Sequence, residues 1–382
     1  MTDPEGLVYE TVTEEMPGTE GAEPSSMTWR VFKDHAELAG CSGYDKGTLT
    51  IPAEFRELPV TAIRKDSSLY YTNFYSRIVI PDSVSTIESG FFSDFYMLKE
   101  LEVGAGNKNF KCVDGVLFDT KGETLIVYPK QKEDEEYTVP GKTETIGESA
   151  FYLNSFLKKV TLPKSLRTIE KSAFGSCSSL SNVEFAKGLK EIGDRAFNGC
   201  PLQDVMLPSS VTSIGASAFT PGEGYGKVEL PDKLEKMGYA AFSARFNEPF
   251  TQDVIRIPAN LVITNKFLDN ILFERFEVDE KSGNYMSADG LLMSKDGRTL
   301  VAVPTLLEGD LIVPDGTLYI EYSALAGCDK VTDIYLPDSV LNIGDIGAKD
   351  YNTGEYRFVI HCNAGTEVQR RLDAKGIPWV EK

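Results

Sequence analysis

Two histidines, His35 and His361, are all the imidazole chemistry that 382 residues offer, and they lie near opposite ends of the chain. A Ser-His-Asp or Cys-His arrangement needs nucleophile, base and orienting group in hydrogen-bond contact, so either histidine would have to build such a group without the other. Each is read as a surface residue. The six cysteines are Cys41, Cys112, Cys177, Cys200, Cys328 and Cys362, and no Cys-x-x-Cys pair occurs, which removes the common zinc spacings. Glycine strings at 222–226 (GEGYG) and 103–109 (VGAGNKN) invite a phosphate loop, but neither lies between a strand and a helix of a βαβ unit, so both are read as turns. Asp114 and Asp289 each precede a glycine; without further carboxylates at alternate positions they suit a turn better than calcium. Carboxylate pairs for glycoside cleavage are available on any acidic surface, and no feature singles one out. The expectation is no catalytic residue, no metal and no cofactor.

Charge and composition narrow the classes further. The formal net charge is −19, and residues 1–28 hold Asp3, Glu5, Glu10, Glu14, Glu15, Glu20 and Glu23 with no Lys or Arg, so this leader is expected to be a disordered acidic linker. The rest is also net acidic with no basic run, which argues against a nucleic-acid partner, since phosphate binding depends on clustered Lys and Arg. No stretch approaches the roughly 18 apolar residues of a membrane span, and no basic segment followed by an apolar one opens the chain. The reading is a chain with neither a membrane span nor an export signal of its own. With 41% hydrophobic residues, a long continuous core is within reach.

Aligning the chain with itself shows what that core is. TETIGESAF ending at Phe151 recurs as RTIEKSAF at Phe174, KEIGDRAF at Phe197, TSIGASAF at Phe219 and EKMGYAAF at Phe242. The first apolar residues, Ile146, Ile169, Ile192, Ile214 and Met237, are spaced 23, 23, 22 and 23. A second signature, apolar-x-apolar-Pro, runs from Val160 to Pro163, Val205 to Pro208, Val228 to Pro231, Ile255 to Pro258 and Ile334 to Pro337; one coil has Val183, Phe185 and then Ala186. Alternation as in Val160, Thr161, Leu162 suits a strand with one face buried, and proline ends it because it cannot donate to the ladder. One such coil cannot cover its own apolar face, whereas stacked coils can. The strands then pair into a parallel sheet at about 4.8 Å per coil, with Ile and Phe in buried ladders contributing about 1.5–3 kcal/mol per side chain. Alanine beside Phe answers crowding between coils, and glycine after Ile is expected at a tight bend. Degenerate coils extend the series both ways to about 13, which would hold the two histidines roughly 60 Å apart.

A longer duplication is superimposed. NFKCVDGVLFDTKGETLIVYP, Asn109 to Pro129, matches NYMSADGLLMSKDGRTLVAVP, Asn284 to Pro304, at an offset of 175, each with two apolar runs around DTKG or SKDG and so each expected to be a hairpin let into the array. Cys177 and Cys200 hold one place in neighbouring coils and Cys328 an equivalent one. Stacked thiols could approach disulfide distance, but recurrence with the repeat favours small buried hydrophobes.

The Ile-Gly-x-x-Ala-Phe cadence followed by Cys-x-x-Leu, as in AFGSCSSL at 173–180 and AFNGCPL at 196–202, resembles the BspA-type (Treponema pallidum-type) leucine-rich repeat. The opening from Trp29 resembles the N-terminal hairpin of such arrays, and the ending to Val380 their closing strand, helix and strand. The resemblance covers about residues 29–380 and implies an α/β repeat solenoid, right-handed, with a parallel sheet on one face. It divides the chain into the leader at 1–28, a capping hairpin at 29–48, an array at 49–355 with hairpins at about 109–129 and 284–304, and a C-terminal cap at 356–382. Members of this family are mostly surface or secreted proteins of bacteria and some protozoa, and those with assigned roles act in adhesion, so the resemblance implies that role here.

If the function is binding, outward side chains of the sheet are the expected surface. One row reads Val79, Glu102, Thr161, Glu184, Met206, Glu229, Arg256 and Tyr335; its neighbour includes Arg77, Glu100, Lys159, Asn182, Asp204, Lys227 and Asp333. From these, Thr161, Glu184, Met206, Glu229, Arg256, Tyr335, Lys159, Asp204 and Lys227 are the candidate binding residues, suited to a protein or glycan. The alternatives are an extracellular hydrolase using acidic groove residues, or a structural spacer for another domain. With both ends closed, a monomer is expected.

Overall fold

The computed structural model describes residues 1, 7–16, 25–42, 47–65, 74–202, 205–220, 228–243, 250–263, 268–269, 271–344 and 356–382. They fall into two compact units, Met1–Leu202 and Gln203–Lys382.

The first unit is built from rungs that pair in sequence order. Thr145–Ile146, Thr168–Ile169 and Glu191–Ile192 form a parallel ladder in which Ile146 opposes Ile169 and Ile169 opposes Ile192. A second parallel ladder joins Glu136–Thr138, Lys159–Thr161 and Asn182–Glu184, with Tyr137, Val160 and Val183 in register. Each coil therefore crosses two ladders, where one sheet was expected. Between them the phenylalanines pile up: Phe151 and Phe174 stack at 4.6 Å and 13°, Phe174 and Phe197 at 4.9 Å and 5°. All three are buried, and such ring pairs add about 0.5–1.5 kcal/mol beyond the area they bury.

The segment from Ile to Phe turns without forming a helix, and its backbone shows why. Ser149, Ser172 and Arg195 have φ of 58°, 54° and 55°, one left-handed residue inside each Ile-to-Phe segment, and Leu153, Ser176 and Gly199 add a second just after it, which stops any helix from propagating. The glycine after Ile serves a different end from the bend expected of it. A Cβ on Gly193 would lie 2.6 Å from the Lys171 amide nitrogen, so glycine is there because the preceding coil's backbone passes beside it. The α part of the α/β expectation is accordingly corrected: the one α-helix among the described residues is Glu367–Lys375, and the coils are β-solenoid turns.

The N-terminal hairpin pairs Ser25–Val31 with Ala36–Ser42 around buried Trp29. The leader departs from the disordered linker expected of it: Glu10–Met16 is a strand, antiparallel to Ser25–Val31, with Val12 opposite Trp29. Alternating Thr11, Val12 and Thr13 supply strand propensity that the acidic composition masks, and Val12 packs against the core.

The duplicated insert is a three-stranded meander, one strand more than expected. Phe110–Val113 and Val116–Asp119 are joined by Asp114 and Gly115 at φ 49° and 76°, a mirror-image turn that fits strand twist. Thr124–Val127 then pairs back and hands over to the isoleucine ladder, Leu125 opposing Ile146.

The second unit repeats these parts. Ile214 opposes Met237, and Phe219 stacks on Phe242 at 5.0 Å. Phe250–Ile257 and Ile271–Val278 run parallel over eight residues. The second meander, Tyr285–Ala288, Leu291–Ser294 and Thr299–Ala302, has the same left-handed Asp289-Gly290 turn and enters its ladder as Leu300 opposite Ile320. Gly309–Ile312, Val331–Tyr335, Val359–Cys362 and Trp379–Glu381 close the unit as a parallel sheet. The helix is capped by the Thr366 side chain, which accepts from Gln369 N, and by left-handed Gly376, and it buries Val368 and Leu372.

Candidate ligand-binding face

Parallel register decides which outward side chains become neighbours. In the first unit Lys159 Nζ lies 2.6 Å from Glu184 Oε1, and the Thr161 hydroxyl donates to Glu184 at 3.5 Å. The hydrogen bond to Lys159 holds the Glu184 carboxyl below its ordinary range and raises the Lys159 ammonium. Arg77 is likewise paired with Glu102 and reaches Glu100 at 3.9 Å. Here the expected rows are brought together, but as pairs that neutralise one another from rung to rung.

The second unit uses the same positions differently. Met206 is 66% exposed. Val205 bridges Val228 in parallel, which puts Met206 and Glu229 at corresponding places on adjacent coils. Arg256 Nε donates to Glu277 Oε2 at 3.1 Å, and Arg275 takes the other carboxylate oxygen at 3.1 Å, so Glu277 sits below its usual pKa, chiefly through Arg275. Tyr335 stacks on His361 at 4.3 Å and 8°, and His361 Nε2 is 2.8 Å from Asp333 Oδ1. That contact lowers the Asp333 carboxyl. Asp204 and Lys227 lie outside the described residues, as does the GEGYG string.

Three residues of this face escaped the sequence reading. Glu277 occupies the row position after Arg256 but sits 21 residues on, in a coil shorter than the common period. Ile312, 70% exposed and opposite Tyr335, comes from Leu311-Ile312-Val313-Pro314, which has the apolar-x-apolar-Pro form. His361, read as an isolated surface residue, is a half-buried partner of Tyr335 whose strand is paired with Val331–Tyr335. His35 is also half-buried, stacked on Phe32 at 4.4 Å with Nδ1 2.8 Å from Asp34.

Concavities among the described residues include one in each unit. One in the second unit, about 460 Å³, has Leu230, Ile257, Pro258 and Val278 beneath and Asp232, Arg256 and the Asp279–Lys281 turn around it. One in the first, about 280 Å³, is bordered by Glu88, Asp119, Glu148 and Glu170 over Ile87, Phe92 and Ile126. Nucleophilic chemistry finds poor material nearby. All six cysteines are free thiols. Burial pushes Cys41, Cys112 and Cys328 up to about 12, and Cys177 and Cys200 donate to the Phe151 and Phe174 carbonyls at 3.0 and 2.9 Å. Among the described residues no group of three or more His, Cys, Asp or Glu is placed to hold a metal, and no helix is long and apolar enough to cross a membrane.

The repeat described as "BspA type Leucine rich repeat region" matches in six copies, over residues 56–120, 144–265 and 309–350. The chain belongs to that family. No curated protein matches it. Among solved structures, the pneumococcal vaccine antigen PcpA is similar at 18% identity and TM-score 0.38, over 88% of this chain and 67% of that one. A leucine-rich repeat protein from Eubacterium ventriosum gives 20% and 0.42, over 58% of this chain and 63% of its own. A leucine rich cell surface protein from Faecalibacterium prausnitzii gives 22% and 0.37, over 86% and 72%.

Proposed function

We propose that this BspA-type repeat protein is a non-enzymatic binding module of the cell surface or the extracellular space, presenting its coils to a host protein or glycan. The observation that carries the reading is the unequal use of outward positions. First-unit rows carry ion pairs between rungs, and the second unit, beside its own Arg256–Glu277 pair, turns Met206, Ile312 and Tyr335 outward. Apolar and aromatic groups set among charges are the mixture of protein contact surfaces, where aromatic and Arg side chains carry most of the affinity. Thiols held far above neutrality by burial support the non-enzymatic part. The surface or extracellular location is proposed from what the family resemblance implies.

The test is capture by the immobilised full chain from purified mucin, matrix proteins and partner bacteria. Binding is expected, weakened at least about tenfold by Arg256→Ala or Tyr335→Ala with unchanged thermal unfolding. A chain that retains none of these overturns the reading.

A further inference from the structure

The two copies of the duplication share a backbone but differ in what fills the space beside it. Gly104 N donates to Ile80 O at 2.9 Å, as Asp279 N does to Ile257 O at 3.0 Å. Asn107 Oδ1 accepts from Asn109 N and Phe110 N, as Ser282 Oγ does from Asn284 N and Tyr285 N. In the first copy the residue after the strand-ending proline is Asp82, whose carboxylate accepts from Gly106 N at 3.0 Å and lies where Cβ atoms on Gly104 and Gly106 would stand. Aspartate and glycines are a matched set: the side chain fills the space that the glycines leave.

The second copy breaks the set on both sides. Ala259 stands where the first copy has Asp82, and exposed Asp279, Glu280 and Lys281 replace Gly104, Ala105 and Gly106, so the turn's own Cβ atoms take the place of the Asp82 carboxylate and its charged groups are turned outward. The 460 Å³ groove lies beside this turn, over buried Ile257 and Pro258 and half-buried Leu230 and Val278. Glu277 on its border is taken up by Arg256 and Arg275, which leaves Asp232, Asp279 and Glu280 against Lys281. A guest must therefore bring apolar surface for the floor and positive charge for the border.

We infer that this groove takes an extended segment of a partner protein in which Lys or Arg alternates with apolar side chains. The inference rests on the binding-module reading and names the chemistry of its partner. Charge supplies the choice between guests, and apolar burial supplies most of the affinity.

The test uses the full chain and a fluorescein-labelled peptide, Gly-Lys-Leu-Lys-Val-Lys-Leu-Gly, followed by anisotropy beside its Glu-for-Lys counterpart. The Lys peptide is expected to bind, more weakly as salt rises, and the Glu peptide not to bind. Ala259→Asp with Asp279→Gly and Lys281→Gly rebuilds the first copy's turn, takes the Asp279 carboxylate off the border while tying the new one to the backbone, and is expected to weaken binding at least about tenfold. Glu280→Lys, a single change at an exposed residue, is expected to weaken it in the same direction should the triple variant fold poorly. Equal binding of both peptides, or undiminished binding by Glu280→Lys and a folded triple variant, overturns the inference. Capture of mucin or matrix protein that survives both the triple variant and Glu280→Lys overturns it too while leaving the binding-module reading intact. If no capture occurs yet the Lys peptide binds as stated, the reading fails and the groove stands.

Discussion

Phe174 shows how much one side chain contributes when it is stacked on both faces. Its ring lies between Phe151 and Phe197 and is buried, so Phe174→Ala removes two ring contacts and leaves a cavity that neighbouring coils cannot close. A loss of about 3–5 kcal/mol is expected from urea unfolding. Lys130 is a second decisive residue. It is 6% exposed, its ammonium donates to the Ser93 carbonyl and lies 4.5 and 5.4 Å from the Tyr96 and Tyr152 ring centroids, and burial lowers its pKa to about 8 despite nearby Asp94, with Lys65 acting in the same direction as burial. A lysine titrating lower folded than unfolded binds fewer protons in the native state, so stability rises with pH between about 8 and 10.5. Raised thiols such as Cys41 and Cys112 act oppositely there. The clean measurement is therefore the difference from Lys130→Met. Wild type is expected to gain about 3 kcal/mol on the variant over that window, and a constant difference would contradict it.

At the scale of the coil, two neighbouring positions should respond in opposite senses. Ser172 holds φ 54° and is pinned by its N–H bond to Asp194 O, so Ser172→Gly removes strain and is expected to be neutral to about 1 kcal/mol stabilising. Gly193 has ordinary φ but no room, and Gly193→Ala is expected to cost about 1–3 kcal/mol because the previous coil's backbone must move. Thermal unfolding of the two variants beside wild type checks both. This pair also marks how legible the elements were. Isoleucine and phenylalanine ladders follow from a 23-residue period because identical apolar positions must cover each other. The left-handed residue leaves no such trace, since Ser149, Ser172 and Arg195 share position but not chemistry. Tyr137-Thr138-Val139-Pro140 and Leu311-Ile312-Val313-Pro314 carry the strand signature but are absent from the sequence reading: the first stands before the intact Ile146-to-Phe151 unit, the second before a worn one in which Leu325 replaces Phe. Glu10–Met16 was missed for another reason: net charge is an average, and a strand needs only its alternate residues to be apolar or β-branched.

For the whole molecule, the ends carry particular risk, because a terminal coil lacks the neighbour that covers it. The helix Glu367–Lys375 lays Val368 and Leu372 on a core that includes Ile343 and Ile360. Truncation after Cys362 is expected to expose that core, shown by dye binding and by self-association in light scattering, whereas the intact chain is expected to elute at its monomer mass. The sequence by itself determined the period, the buried ladders, the proline-ended strands and the duplication, since each depends on residue types recurring at fixed spacing, whereas the capping helix was implied by the family resemblance. Only the tertiary structure decided which outward charges cancel, as Lys159 does with Glu184, and which stay available. It alone turned His361 into a partner for Tyr335, and it set an open groove beside the turn in which Asp279–Lys281 replace the first copy's glycines. The physical reason is that burial is a property of a residue's type and place in the repeat, whereas a surface site depends on register between coils and on the side chain that does or does not fill the space beside it.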